Sequence, residues 1–350
     1  MAVSGDRAPV IFSCEGERLT AEERAFFTGL RPAGFILMGR NCRGPEQIRD
    51  LIGELRDCVG DRLTPVLVDQ EGGPVQRLRP PAWADLPSPA DLGDLYEADP
   101  GNGLTAARLH GRIIAGQLAP LGFTVDCAPT LDVRQAQTHH FLVRRVFGNT
   151  ANSVMALSRA WREGLEDGGV SPAIKHAPGH GRATADSHEA LPEVADSDDR
   201  LAIDLAPFAA HQDAPWVLTA HIRYPAWDTR EPATFSTAVI GGILRRRLGL
   251  RGVVVSDDLN MNALGGSLAE RAQRALAAGC DLALHCKGDL AEMSEIAMAL
   301  PTMSAASARR LTAARDYQAR LTVARRAEEA AAPAERLAAL WRLMGRDAAQ

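Results

Sequence analysis

Short apolar runs recur along the chain, and each run ends in polar residues and is followed by a stretch with helical periodicity. Continuous apolar runs of this length are typical of strands that are buried on both faces, as in a parallel sheet. The runs predict eight strands, at 10–15, 34–40, 65–70, 122–128, 172–176, 216–221, 252–257 and 281–286. The stretches between them predict eight helices, at 20–30, 45–58, 103–118, 151–168, 198–212, 236–248, 266–279 and 289–299.

Eight repeats of strand then helix favour a closed (β/α)8 TIM barrel in a single α/β domain. An open, doubly wound sheet stays the alternative, because the spacing of the repeats is uneven. We expect residues 1–300 to form the barrel and residues 301–350, rich in Ala, Arg and Glu, to form a C-terminal helical extension packed on it. Residues 74–101, rich in Pro and Gly, are expected to be a long connection after the third strand.

Composition and charge narrow the class of protein. The formal charge is −5, and the 39 Lys and Arg residues are scattered without interleaved aromatics, which argues against nucleic-acid binding. No apolar stretch approaches the roughly 20 residues that span a bilayer, so no membrane association is expected. The six cysteines form no CxxC pair and residues 1–17 lack a secretion signal, so we expect free thiols and a cytoplasmic location. A monomer is favoured.

Polar side chains follow nearly every predicted strand. In a (β/α)8 barrel the carboxyl ends of the strands meet at one rim, and chemistry takes place there. The candidates are Glu15, Arg40, Asn41, Asp69, Gln70, Glu71, Asp126, Lys175, His176, His221, Asp257, Asp258 and His285. A barrel with a purely structural role would not need this concentration of charge.

The densest chemistry lies between Lys175 and His188. Asp186 precedes His188 by two residues, and a carboxylate beside an imidazole favours the protonated ring and fixes its orientation, as a proton donor and acceptor requires. A loop aspartate that caps a turn is the alternative reading. His176 and His180 have the spacing of a zinc-binding helix, but Pro178 and Gly179 separate them and no Glu follows His176. We therefore predict no metal site.

Two further segments end strands in carboxylates. Ser256-Asp257-Asp258 places a carboxylate at the rim, where it would be suited to attack an anomeric carbon, although aspartate at a strand end is also a common helix N-cap. Asp69 ends another strand, with Arg77 eight residues later. Carboxylate and guanidinium groups together suit the hydroxyl and amide groups of a sugar.

Together these segments resemble glycoside hydrolase family 3, specifically its single-domain bacterial β-N-acetylhexosaminidases of peptidoglycan recycling. The resemblance extends over about residues 10–290, and the motifs occur in the family's order. They are VDQEGG…R (to Arg77), KHxPGHG…DSH (175–188), TAH (219–221) and SDDLxM (256–261). Weaker matches are PTLDV (129–133), RVFG (145–148) and AGCDLALHC (278–286). Arg182 after GHG, Pro74 after EGG and residues 142–144 before RVFG depart from the usual pattern.

The resemblance implies a residue-by-residue assignment. Asp257 would be the nucleophile, and His188 would be the general acid/base, held by Asp186. The residues that would hold the N-acetylglucosamine unit are Asp69, Arg77, Arg145, Lys175 and His176. The implied enzyme removes terminal β-1,4-linked N-acetylglucosamine from 1,6-anhydro-N-acetylmuramic acid fragments with retention, and it needs no cofactor.

Two other functions stay open at this stage. A phosphorylase would use the same nucleophile, since a histidine repels an incoming phosphate less than a glutamate would. A catalytically silent barrel that senses muropeptides belongs to a different class, against which the intact Asp257, Asp186 and His188 argue. Residues 179–188, with two glycines and no apolar anchor between Pro178 and Leu191, are expected to form a loop that is displaced when no sugar is bound.

Overall fold

The structure is a computed structural model, and it describes residues 7–187, 189–327 and 333–345. Its ten strands are β1 (Ala8–Phe12), β2 (Pro32–Leu37), β3 (Val66–Val68), β4 (Gln70–Gly72), β5 (Val75–Gln76), β6 (Val125–Asp126), β7 (Ser171–Ala177), β8 (Trp216–Thr219), β9 (Val253–Asp258) and β10 (Leu282–His285). Eight of them close a parallel barrel in the order β1-β10-β9-β8-β7-β6-β3-β2. The predicted (β/α)8 barrel is confirmed, and the open sheet is excluded.

Helices surround the barrel. They are α1 (Ala21–Leu30), α2 (Pro45–Val59), α3 (Pro89–Ala98), α4 (Pro100–Leu118), α5 (His140–Val143), α6 (Ala151–Asp167), α7 (Asp198–Ala209), a π-helix (Ala238–Arg247), α8 (Leu268–Ala278), α9 (Leu290–Ala299), α10 (Ala305–Ala327) and α11 (Pro333–Leu343). Short 3₁₀ turns lie at Gly39–Asn41, Ala119–Leu121 and Ala233–Phe235. Among the described residues no helix is both long and apolar enough to cross a bilayer.

The barrel interior is a packed apolar core, because alternate strand residues point inward from every strand. Ile36, Leu67, Trp216 and Leu284 are among these inward residues, and each is at most 2% exposed. The amino end of the barrel is covered by α10, whose Leu311 joins the same cluster. Burial of this apolar surface stabilises the packing of the described part of the C-terminal extension against the barrel.

Polar contacts fix α10 at that end of the barrel. Arg315 donates to both carboxylate oxygens of Asp61, at 2.8 and 3.0 Å, and Arg7 donates to the same carboxylate at 2.8 Å. Asp61 lies between α2 and β3, so the three residues connect the start of the chain, the barrel and α10. This end carries no part of the predicted chemistry, which lies at the opposite rim.

The connection after the third strand contains more structure than the sequence suggested. The predicted strand 65–70 ends at Val68, and the chain turns back on itself in the β4–β5 hairpin. Residues 74–101 then include α3, which begins with a capping box: Ser88 Oγ accepts the amide of Asp91, and the Asp91 carboxylate accepts the amide of Ser88. Treating this segment as a plain connection was therefore wrong, and Ser88-Pro89 followed by Asp91 is the signal that predicts the helix.

Candidate active site

A cavity of about 410 Å³ opens at the carboxyl ends of the barrel strands. Its lining comprises Ile36, Met38, Asp69, Pro74, Val75, Arg77, Phe141, Arg145, Lys175, His176, His180, Asp186, Ser187, Leu218, Asp257, Asp258, Met261, Leu284 and Cys286. Seven of the eight residues predicted to act on or hold the substrate are in this set. The eighth, His188, lies outside the described residues.

Asp69 lies between two cations that also line the cavity. Lys175 Nζ donates to one carboxylate oxygen at 2.8 Å, and Arg77 donates to the other at 3.0 Å. Burial alone would raise the pKa of Asp69, but the charges of Lys175 and Arg77 hold that pKa below its usual range. The same ion pairs raise the pKa of Lys175 above its usual range in spite of burial. All three groups are therefore charged at neutral pH, as donors and acceptors for sugar hydroxyls should be.

Glu71 is a member of this cluster that the sequence analysis left without a role. Its carboxylate accepts two hydrogen bonds from Arg145, at 2.7 and 2.9 Å, and lies 2.6 Å from Lys175 Nζ. Its side chain is 1% exposed and does not line the cavity, so Glu71 contacts these two cations on the side that faces away from the cavity. It lies in β4, shortly after the end of β3, and this position keeps it at the rim.

Asp132 is a second carboxylate that contacts a cavity residue without lining the cavity itself. It is fully buried, and Oδ2 lies 2.7 Å from Nδ1 of His176. Oδ1 accepts the backbone amide of His180 at 2.6 Å. The PTLDV motif that contains Asp132 was noted in the sequence, but no role followed from it.

The two adjacent carboxylates at the end of β9 have different surroundings. Asp258 Oδ1 accepts the backbone amides of Asn260 and Cys286, both at 3.1 Å, and these bonds tie it to the protein frame. Asp257 accepts the amide of Asp258 at 2.8 Å. Burial opposes ionisation of Asp257, but His221, His176, the amide of Asp258 and Lys175 lower its pKa. Asp257 is therefore an ionised carboxylate in the cavity, in the state that a nucleophile requires.

His221 holds the end of β9 in place. Its Nε2 lies 3.0 Å from the backbone oxygen of Asp258, and its Nδ1 lies 2.7 Å from Oγ1 of Thr234. The ring is buried, and burial lowers its pKa. His221 therefore fixes the backbone that carries Asp257. Of the other predicted rim groups, His285 bonds Glu292 at 3.0 Å and Asn41 bonds the backbone of Gly16 at 2.7 Å, and neither lines the cavity.

The segment after β7 is anchored more firmly than the sequence suggested. Tyr224 donates to the backbone oxygen of Gly179 at 2.7 Å, and the buried Arg182 donates to Asp204 at 2.5 Å. At Gly181 an added Cβ would lie 1.9 Å from the backbone oxygen of Val133. Residues 179–183 are therefore anchored by polar groups, by a backbone contact and by the buried Ala183, while displacement of 179–188 in the absence of sugar stays a prediction.

Among the described residues, no group of three or more His, Cys, Asp and Glu side chains has the arrangement of a metal site. His176 and His180 are engaged with Asp132 and with each other, their ring centroids lying 5.6 Å apart. Of the carboxylates that line the cavity, Asp69 is paired with Lys175 and Arg77, whereas Asp257 and Asp258 accept backbone amides.

Comparison with known proteins places the chain among sugar-cleaving enzymes. The family model of the glycosyl hydrolase family 3 N-terminal domain matches residues 9–316. The β-hexosaminidase of Alkalilimnicola ehrlichii is 39% identical over 287 residues, which are 79% of this chain and 80% of that protein. NagZ of Neisseria gonorrhoeae, solved in complex with N-trifluoroacetyl-D-glucosamine, is 32% identical with a TM-score of 0.76, over 90% of this chain and 98% of that one. A family 3 β-N-acetylglucosaminidase of Paenibacillus is 31% identical with a TM-score of 0.79, over 93% of this chain but only 62% of that longer one.

Proposed function

Because the chain belongs to glycosyl hydrolase family 3 and is a glycoside hydrolase of the β-hexosaminidase type, we propose that it is a retaining exo-β-N-acetylglucosaminidase. The observation that carries this proposal is the ionised Asp257 in the cavity that also holds Asp186 and the Asp69–Lys175–Arg77 cluster. Asp257 lines the space where a sugar would bind, and a dense set of hydrogen-bonding groups surrounds that space.

The proposed reaction has two steps. Asp257 attacks the anomeric carbon, the glycosidic bond breaks, and protonated His188 gives its proton to the departing oxygen. Neutral His188 then takes a proton from water, which attacks the glycosyl ester and releases the sugar with its original configuration. Asp186 would favour the charged form of His188 and orient its ring. No cofactor enters either step.

Binding of a terminal sugar is supported by the shape of the cavity. The barrel core closes its floor with Ile36, Leu218 and Leu284, so a glycan chain has no path through it. Asp69, Arg77, Lys175, Arg145 and His176 would hold the N-acetylglucosamine unit by its hydroxyl and amide groups. The aglycone would leave on the side of the cavity that Asp186 lines.

We further propose that the substrate is a cell-wall fragment with terminal β-1,4-linked N-acetylglucosamine on 1,6-anhydro-N-acetylmuramic acid, and that the enzyme acts in the cytoplasm. The ligand named for the Neisseria structure, N-trifluoroacetyl-D-glucosamine, supports recognition of an N-acylated glucosamine. All six cysteines are free, which suits a reducing compartment. Burial raises the pKa of Cys14 and Cys42 to about 12, so these thiols stay protonated.

A disaccharide of defined structure tests this proposal. The protein is incubated with N-acetylglucosaminyl-β-1,4-1,6-anhydro-N-acetylmuramic acid, with and without phosphate, and the first product is followed by proton NMR. We expect β-N-acetylglucosamine to appear first, at a rate independent of phosphate, and no turnover by Asp257→Asn. Formation of a sugar phosphate would show a phosphorylase, an initial α-anomer would show inversion, and tight binding without turnover would show a sensor barrel.

A further inference from the structure

Asp132 is fully buried between the sugar-facing end of β7 and the segment that leads to Asp186. It does not line the cavity, so it has no direct route to a substrate. Oδ2 contacts the ring of His176, and Oδ1 accepts the backbone amide of His180 at 2.6 Å and, at 3.4 Å, that of His176. A single carboxylate thus holds both a cavity side chain and the backbone of the following segment.

The bond to His176 decides which ring nitrogen carries hydrogen. Burial opposes ionisation of Asp132, but its contacts with His176 and with the backbone amide of His180 lower its pKa, so it is a carboxylate that can only accept hydrogen bonds. At 2.7 Å, Nδ1 of His176 must therefore be the donor. Nε2 of His176, which lies 3.4 Å from a guanidinium nitrogen of Arg145, is then left to accept a hydrogen bond.

The hydrogen bond to His180 connects Asp132 to the segment that carries Asp186. The amide of His180 donates to Asp132 at 2.6 Å, and the ring of His180 lies 3.2 Å from Oγ of Ser187, the neighbour of Asp186. Burial lowers the pKa of His180 to about 4, so this ring is neutral at pH 7. A chain of contacts therefore runs from His176 through Asp132 and His180 to the residue beside Asp186.

We infer that Asp132 is a positioning residue that sets the hydrogen-bonding form of His176 and, through His180, the placement of the segment that carries Asp186. The inference rests on the proposed function, in which His176 holds the sugar and Asp186 serves the proton transfer. Loss of Asp132 should thus weaken sugar binding and proton transfer together, although the residue touches neither substrate nor product.

The kinetic test uses Asp132→Asn, which keeps the shape of the side chain but cannot accept a hydrogen bond on both sides in the same way. We expect kcat/KM to fall on the order of 10²-fold, because misplacement of about 1 Å has an effect of that size. KM should rise for both a nitrophenyl N-acetylglucosaminide and the disaccharide, and kcat should fall further for the disaccharide, whose leaving group needs a proton.

The matched control is Asp204→Asn. Asp204 holds Arg182 in the same segment but does not contact His176. The control should lower kcat for the disaccharide and leave KM for the nitrophenyl substrate unchanged. If a folded Asp132→Asn keeps the wild-type KM, or if both variants change the same constants equally, Asp132 does not position His176.

A second measurement needs no substitution of Asp132 and no activity. Nitrogen-15 NMR of the histidines at pH 8, with the His176 signal assigned by its loss in His176→Gln, reports which ring nitrogen carries hydrogen. Hydrogen on Nδ1 is the expected result, and hydrogen on Nε2 alone would overturn the inference even if Asp132→Asn does not fold. Because this readout is independent of turnover, an inactive wild-type protein would refute the proposed function without deciding the role of Asp132.

Discussion

Arg145 donates two parallel hydrogen bonds to the buried carboxylate of Glu71, at 2.7 and 2.9 Å. Arg145 lines the cavity and Glu71 does not, so the pair joins a candidate sugar ligand to a support behind it. The carboxylate also contacts Lys175, so two buried cations share this anion, and Lys175 has Asp69 as a second anionic partner. Loss of Glu71 removes the carboxylate that Arg145 binds in a poorly solvated place and one of the two that Lys175 binds.

Glu71→Gln should therefore destabilise the protein and weaken sugar binding. Removing one member of a buried ion pair typically costs about 3–5 kcal/mol of folding free energy. Urea unfolding measures that cost, and KM for a nitrophenyl N-acetylglucosaminide reports the misplaced Arg145 and Lys175. The control is Glu193→Gln, which breaks an exposed pair with Arg223 and should change stability by at most about 1 kcal/mol. Equal effects of the two substitutions would show that Glu71 has no supporting role.

Gly181→Ala tests the anchoring of the segment after β7. The new Cβ would lie 1.9 Å from the backbone oxygen of Val133, so one of the two backbones must move. We expect a large loss of kcat for the disaccharide, because the displaced segment carries Asp186. Gly265→Ala is the control, since an added Cβ there has no atom within 4 Å. Wild-type activity of Gly181→Ala would mean that the segment tolerates displacement.

Much of the fold can be predicted from local sequence, whereas the buried carboxylates that contact the cavity residues cannot. The eight barrel strands were predictable because a strand buried on both faces needs a continuous apolar run, as at 253–255. The cavity residues were found through their motifs. The supporting roles of Asp132 and Glu71 were missed because their partners are distant: Asp132 lies 44 residues from His176, and Glu71 lies 74 residues from Arg145. Only the closed barrel brings these strand ends together.

Burial of His110 makes the free energy of unfolding depend on pH. Trp161 donates to its Nδ1 at 2.8 Å, and its Nε2 lies 2.9 Å from the backbone oxygen of Pro87, an arrangement that fits a neutral ring. Burial lowers the pKa of His110 to about 4, whereas an unfolded histidine titrates near about 6.5. Between these values the unfolded chain binds more protons, so stability falls as the pH falls from about 6.5 to 4, by about 3 kcal/mol for this residue.

The check is urea unfolding at pH 7.5 and 4.5. His110→Gln preserves both hydrogen bonds in principle, since an amide offers one acceptor and one donor group. The difference in unfolding free energy between the two pH values should be smaller in this variant than in the wild type. An unchanged difference would mean that His110 is protonated in the folded protein or that other groups account for the pH dependence.

The proposed Asp186–His188 dyad predicts a dependence on the leaving group. An activated aryl oxide departs without a proton, so Asp186→Asn should slow cleavage of the disaccharide far more than that of a nitrophenyl glycoside. With the nitrophenyl substrate, His188→Ala should slow the second step and give a burst of nitrophenol. General acid–base assistance is typically worth about 10²–10⁴-fold, which makes the contrast measurable. Equal losses on both substrates, without a burst, would assign the proton transfer to another group.

The central claim is that Asp257 forms a covalent bond to the sugar. A 5-fluoro N-acetylglucosamine derivative with a good leaving group slows breakdown of the ester, so the labelled protein can be digested and its peptides analysed by mass spectrometry. We predict one added sugar per chain, on Asp257, and no labelling of Asp257→Ala with an otherwise intact fold. A label on Asp258 or Glu71, or turnover without any covalent adduct, would contradict the account.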